Sequence, residues 1–324
     1  MRALVTREFG GLDRLVVEDL PEPRPGDGEI LIDVHAVGIN YADSLMVAGN
    51  YQTKPDFPFG PGLECAGVVA ETGPGCTRLR PGDRVMALVD HSAMAERVVT
   101  READAQRMPE GMDMATGGAF PVAYVSSHVA LRWQARLEAG ETLLVLGAAG
   151  GVGLTAVEIG KAMGARVIAG ASSPDKLALA REHGADEGID YAREDLKARV
   201  DALTGGEGVD VVYDPVGGEL FDPALSSLAW GGRILLIGFV GGVPRIPANR
   251  LLVKHRSAMG SSMRFYRQRR PDLLERTWDE LARWHAEDRL RPHVSETWPL
   301  DRGADAIRAL TERRAVGKVV VTVR

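Results

Sequence analysis

The stretch "VLGAAGGVGLTAVEIGKAMGARVIAGASSPDKL", residues 145–177, constrains the fold more than any other part of this chain. An apolar run enters a cluster of glycines, a segment of helical period follows, and a second apolar run ends among serines. Strand, glycine turn, helix and second strand in that order make one half of a doubly wound parallel sheet. The helix that opens after Gly147, Gly150, Gly151 and Gly153 presents unpaired N–H groups and partial positive charge, which favour a phosphate. Gly150 and Gly151 would let a pyrophosphate approach the backbone, and Gly153 would let helix and strand pack closely. The expected cradle is therefore Ala149, Gly150, Gly151 and Val152. The first fingerprint position is Ala148 where glycine is usual, so the weight rests on the strand–turn–helix context. A purely structural glycine turn is the alternative.

The end of the second strand bears on which nucleotide would bind. Folds that prefer NAD usually place an acid there, which binds the ribose 2′-hydroxyl and repels a 2′-phosphate. Here the tip reads Gly170-Ala171-Ser172-Ser173-Pro174-Asp175-Lys176. Ala171 stands about where the acid belongs, and Lys176 and Ser172 are within reach of a 2′-phosphate. Ser173 before Pro174 is also a good helix N-cap, which gives the serines a structural reason to exist. NADPH is the favoured cofactor.

The same alternation continues through "EGID", "VDVVYD" and "GRILLIG", short apolar strands with helical segments between them, as in a parallel sheet covered on both faces. Upstream the composition differs. "RALVT", "LVVEDL", "EILIDVHAVGI", "CAGVVAET", "DRVMALV" and "AERVVT" are separated by Pro–Gly pairs, as in a compact β domain. Downstream, helices are expected around "DLLERTWDELARWHAED" and "RGADAIRALTER", followed by a last strand, "GKVVVTV". That strand must pair somewhere, and a return to the first domain is expected. The boundaries read as 1–120, 121–260 and 261–324, the last segment rejoining the first.

Composition excludes several classes. No apolar run approaches the roughly 20 residues that span a bilayer, and the N-terminus lacks a signal-peptide core, so a cytoplasmic protein with no membrane partner is expected. Cys65 and Cys76 cannot build a disulfide framework or a four-cysteine zinc site. Only six of 39 basic residues are lysine, but a net charge of −6 is the wrong background for a nucleic-acid surface.

With these residues in place, the sequence resembles the zinc-independent quinone oxidoreductases of the medium-chain dehydrogenase/reductase superfamily over nearly its whole length. The carriers are "VGINYADSLMVAGNY", "FPFGPGLECAGVV", "RPGDRV", "GAAGGVG", "YDPVGG", "LLIGFVGG" and "GKVVV". The resemblance implies an α/β protein: a GroES-like β-rich catalytic domain, a Rossmann-type doubly wound parallel sheet, and an active site in the cleft between them. It also implies that Tyr191 joins Lys176 and the 170–172 tip at the 2′-phosphate. Arg314 is assigned to the same phosphate, with Arg313 as its rival, and Gly238 and Phe239 lie in the loop that passes the nicotinamide ribose. The zinc-dependent branch carries metal ligands at positions that here hold Asn40 and Leu63, neither of which would serve. No metal is expected.

Without a Lewis acid, alcohol oxidation is not the default reaction. What remains is hydride transfer from NADPH to an acceptor that is already electrophilic, a quinone or an enone. Asn40 is the candidate donor to the developing oxyanion, or else a turn asparagine. Tyr51 lies where related enoyl-thioester reductases carry a proton-donating tyrosine, or else packs in its loop. Asp43 reads more as a helix-fixing residue than a catalytic one. Ser127 falls in a segment that faces the nicotinamide in the family. The basic run "RFYRQRR" (264–270) reads as a solvated helix start, with a role at the cleft rim as the alternative. The rival functions are NADPH-dependent reduction of a 2-enoyl thioester and an NADPH-binding role with little turnover, acting through a partner or through RNA. The free edge of "GRILLIGFV" suggests a homodimer, as the family makes.

Overall fold

The computed structural model describes residues 1–312 and 314–324. Strands β1 (Arg2–Val5), β2 (Val16–Asp19), β3 (Glu29–Gly38), β4 (Glu64–Thr72), β5 (Arg84–Leu88), β6 (Arg97–Arg101) and β7 (Ala105–Arg107) come first. They are followed by β8 (Thr142–Leu146), β9 (Arg166–Ala171), β10 (Glu187–Asp190), β11 (Val209–Asp214), β12 (Leu228–Leu236) and β13 (Ser257–Gly260). β14 (Val294–Pro299) and β15 (Lys318–Thr322) come last. Two compact units result, one of residues 1–122 with 292–324, the other of residues 123–291.

The first unit is organised by β3, whose ten residues serve three partners. One side pairs antiparallel with β4. On the other side Glu29–Asp33 pair with β6, and Ala36–Gly38 pair with β15. β15 in turn pairs with β14. The terminal "GKVVVTV" strand thus does return to the first unit. Ile30, Ile32, Val34, Val85, Val319 and Val321 meet in one apolar cluster, as alternation along half-buried strands requires.

The second unit holds a six-stranded sheet in the order β10-β9-β8-β11-β12-β13, with every pair parallel. Its strands are apolar nearly throughout because helices cover both faces: in β8 and β9 every residue but the first is buried. The chain order reverses between β8 and β11, the switch point at which such sheets bind ligands.

The later domain boundary and one sheet edge differ from the sequence reading. Residues 261–291 belong to the second unit, and the return begins at Pro292. The cause is the helix Pro271–Ala286, which buries Leu273, Leu274, Trp278, Leu281 and Trp284. It is tied to its own unit where Trp133 Nε1 donates to Thr277 Oγ1 (2.9 Å) and His128 Nε2 meets Glu280 Oε2 (2.9 Å). The "GRILLIG" strand is also not the sheet edge, because β13 pairs beyond it. Its four residues, "SAMG", carry no apolar run that could announce a strand. Among the described residues no helix is long and apolar enough to cross a membrane.

Candidate active site

In the second unit, β8 runs into Gly147 at φ +58°, and the helix Gly151–Ala162 starts after Gly150. Gly150 has no side chain with which to cap that helix, which leaves the leading N–H groups without a capping side chain and suited to an anion. A Cβ on Gly150 would meet only Gly147 O, at 3.3 Å, whereas one on Gly153 would lie 2.1 Å from the same oxygen. Gly153 therefore sets the helix–strand contact, and Gly150 leaves room for a ligand's phosphates. This cradle fits a dinucleotide.

The 2′ end of such a ligand has a second cluster. Asp190 at the end of β10 is in register with Ala171 at the end of β9, and Tyr191 N donates to Ala171 O (3.1 Å). Ser173 caps the helix Pro174–Glu182 by accepting from Lys176 N, and Lys176 Nζ donates to Ser172 Oγ at 3.3 Å. A Cβ on Gly170 would touch the Tyr191 ring at 3.4 Å. Gly170, Ser172, Lys176 and Tyr191 are thus brought together, and no acid stands at the tip of β9. The acid is on the neighbouring strand: Asp190 is buried, and its Oδ1 accepts from Ala192 N. Arg314 belongs to the first unit, where its Nε donates to Glu312. Its rival Arg313 lies outside the described residues.

Gly238 and Phe239 follow β12, and a Cβ on Gly238 would lie 3.2 Å from Pro215 O. Ser127 departs from its expected role. Its Oγ is fully buried, 3.0 Å from Val152 O, 2.8 Å from Thr155 Oγ1 and 2.9 Å from Tyr213 OH. Thr155 Oγ1 reaches Ala123 O and Val152 O as well. This chain of three hydroxyls ties down the first turn of the glycine-rich helix, so Ser127 holds the cradle and presents nothing to a carboxamide. Burial also pushes the Tyr213 phenol well above its ordinary value. The "RFYRQRR" run forms the helix Met263–Arg269, but Arg267 is buried and Tyr266 OH donates to Gln134 Oε1 (3.0 Å), so it is packed, not merely solvated.

In the first unit the candidates cluster around a buried ion pair. Lys318 Nζ donates to Glu64 Oε1 (2.7 Å), Asn40 Oδ1 (2.9 Å) and Ile39 O (2.9 Å). Asn40 Nδ2 donates to Glu64 Oε1 (2.8 Å) and Gly38 O (3.3 Å), and Glu64 Oε2 accepts from Val122 N (2.7 Å). Both amide hydrogens of Asn40 are therefore committed inside the fold, and it holds the knot instead of offering a donor to a substrate. Asp43 accepts from Asn40 N (2.7 Å) and Gly62 N (2.8 Å), fixing the start of the helix Tyr41–Val47. Burial pushes its carboxyl up to about 6, against the pull of those N–H groups and of Lys318. Tyr51 is half-buried in the bend beyond that helix.

Sequence reasoning missed Lys318, Glu64, Thr155 and Tyr213. Each sits in a motif that marked the family resemblance or beside one, but none carries a local signal of burial against a distant polar partner.

Comparison with known proteins agrees with this architecture. Residues 26–134 match the alcohol dehydrogenase GroES-like domain, and residues 151–280 match the family described as zinc-binding dehydrogenase. The Bos taurus quinone oxidoreductase-like protein 2 is 39% identical over 313 residues, covering 96% of this chain and 89% of that protein. Among solved structures, a mycobacterial protein complexed with NADPH is 32% identical, with a TM-score of 0.93 and full coverage of both chains. Escherichia coli quinone oxidoreductase complexed with NADPH is 27% identical, again with a TM-score of 0.93 and full coverage of both. A GroES-like domain, a Rossmann-type sheet with a glycine cradle at its switch point, and these relatives converge: the chain belongs to the quinone oxidoreductase-like proteins of the medium-chain dehydrogenase/reductase superfamily.

Proposed function

We propose that this protein is an NADPH-dependent oxidoreductase that reduces a quinone or another conjugated carbonyl without a metal. The observation that carries the cofactor reading is the β9 tip, where Lys176, Ser172 and Tyr191 gather beside Ala171, which stands where folds that prefer NAD carry an acid, while the carboxylate of neighbouring Asp190 is buried. The uncapped helix N-terminus at Gly150–Val152 would hold the pyrophosphate, and the hydroxyls of Ser127, Thr155 and Tyr213 keep that turn in place. Gly238 and Phe239 would line the nicotinamide ribose. When bound, NADPH supplies the hydride.

The relatives' family description names zinc, but the residues at Asn40 do not fit one. The Lys318 ammonium already sits 2.9 Å from Asn40 Oδ1 and 2.7 Å from Glu64 Oε1, so a divalent ion there would face an adjacent positive charge. Leu63 offers no ligand. An acceptor that needs no Lewis acid is the consistent choice, and the chain's task is then chiefly to hold and orient the two reactants.

A homodimer is part of the same reading. β13 ends the sheet, and beside it Trp230, Leu252 and Val253 are 74%, 78% and 76% exposed, an apolar surface that a second copy would cover. A light-scattering mass of 34.8 kDa, that of one chain, would refute it.

The test of function is initial-rate oxidation of NADPH and NADH against a benzoquinone, a polycyclic quinone, a simple enone and crotonyl-CoA, with and without chelator. Chelator-resistant, NADPH-preferring turnover of quinones is expected. Lys176→Ala should cut the NADPH-over-NADH preference by about tenfold or more. Preference for crotonyl-CoA would instead favour enoyl reduction, and tight NADPH binding with no turnover would favour a binding role.

A further inference from the structure

The motif "YDPVGG" (213–218) has so far no task beyond Tyr213. Asp214 ends β11 at the sheet's switch point and is buried. Its Oδ1 accepts from both Val216 N and Gly217 N, each at 2.8 Å, and so bends the chain at 215–218 into a tight turn. Its Oδ2 is buried and meets no donor.

That turn is clamped from two sides. On one side is the glycine cradle: a Cβ on Gly147 would lie 3.1 Å from Val216 Cγ2 and 3.7 Å from Pro215 Cγ. On the other is the loop after β12. Ile237 N donates to Asp214 O (2.9 Å), Gly241 N to Val216 O (2.7 Å) and Gly218 N to Gly242 O (2.8 Å). The approach is so close that a Cβ on Gly217 or Gly218 would lie 2.5 Å from Gly242 O or 2.2 Å from Gly241 O. Both glycines also have positive φ, so only glycine serves there. The turn is the spacer between the two loops, and the Asp214 carboxylate sets its shape.

We propose that Asp214 is a positioning residue for the nicotinamide half of the bound coenzyme, fixing the distance between the phosphate loop 147–151 and the loop 237–242. The proposal rests on the NADPH reading above. It does not extend to the adenosine 2′-phosphate, whose cluster lies at the tips of β9 and β10, on the opposite side of β8 from Asp214.

The test is calorimetric titration of the full chain with NADPH and with adenosine 2′,5′-bisphosphate, which lacks the nicotinamide half. Asp214→Ala should weaken NADPH by about tenfold or more and change the bisphosphate by less than about twofold. Asp214→Asn, whose amide oxygen can accept the same two N–H groups but whose NH2 would take the buried place of Oδ2, should show the same split with a smaller loss than Asp214→Ala. Should Asp214→Ala fail to fold, Val216→Ala, which removes the side chain against Gly147, should show the same split with a smaller loss. Equal losses for both ligands, or none for NADPH, would overturn the positioning role while leaving the NADPH reading intact. A wild-type chain that binds neither ligand would overturn both.

Discussion

The charged knot of the first unit and the hydroxyl chain of the second do similar work with different chemistry. Both are buried, and both fasten a helix start that the sequence marked as functional, at Asn40 in one and at Gly151 in the other. The knot joins Lys318, Glu64, Asn40 and Asp43, so its energy depends on charge balance. The chain of Tyr213, Ser127 and Thr155 is neutral. Removing Lys318 or Glu64 from the first leaves an unpaired charge in the core, and removing one member of the second leaves only a dipole. The two clusters should therefore fail by different amounts and answer differently to pH.

The largest effect is expected for Lys318→Met, which strands the Glu64 carboxylate in a site with no exposure. A loss of about 3–5 kcal/mol in denaturant unfolding is expected, with partial recovery in Lys318→Met/Glu64→Gln. A loss below about 1 kcal/mol would mean that the pair does not hold the knot.

The pH dependence of the knot comes next. The folded-state value of Asp43, about 6, lies above the 3.8 of a free carboxyl. The folded chain thus keeps a proton that the unfolded chain has released, so this contribution is fully present below about pH 4 and is lost as pH rises through about 6. Its size is on the order of 3 kcal/mol. Unfolding of wild type and Asp43→Asn across pH 4–7 isolates it: the difference between them should slope in that window and be flat above it. A parallel pair of curves would remove Asp43 as the source.

The smallest effect belongs to Ser127→Ala, which deprives Tyr213 OH and Thr155 Oγ1 of their common partner. About 1–3 kcal/mol is expected, the same at pH 5 and pH 8, since burial pushes the Tyr213 phenol further from that range. A cost that changes between those two values would show that the hydroxyl chain is not neutral.

These contrasts also mark what a reader of the sequence can see. The glycine turn, the acid-free tip at Ala171 and the return of the terminal strand are local patterns, and each leads to the arrangement found. Glu64 and Lys318 are 254 residues apart, and nothing in "GLECAG" or "GKVVV" says that the two side chains meet. The same blindness affects Asn40, read as an oxyanion donor or a turn asparagine, and Ser127, read as facing the nicotinamide: whether a polar side chain faces a ligand or the core depends on partners distant in sequence. β13 escaped notice for the opposite reason, since "SAMG" owes its strand conformation to pairing with β12, not to its own propensity. The domain boundary moved because the helix Pro271–Ala286 has an apolar face that fits any core, and only contacts with Trp133 and His128 assign it to the second unit.

The discontinuity of the first unit has a consequence for biosynthesis. Residues 123–291 are contiguous, so the second unit has all its strands once that segment has left the ribosome. Asn40 and Glu64 emerge long before, yet the Lys318 ammonium that pairs with them arrives 254 residues after Glu64. Throughout translation the earlier, larger part of the first unit must carry a carboxylate destined for the interior without this counter-ion, which arrives only after the whole second unit has been synthesised.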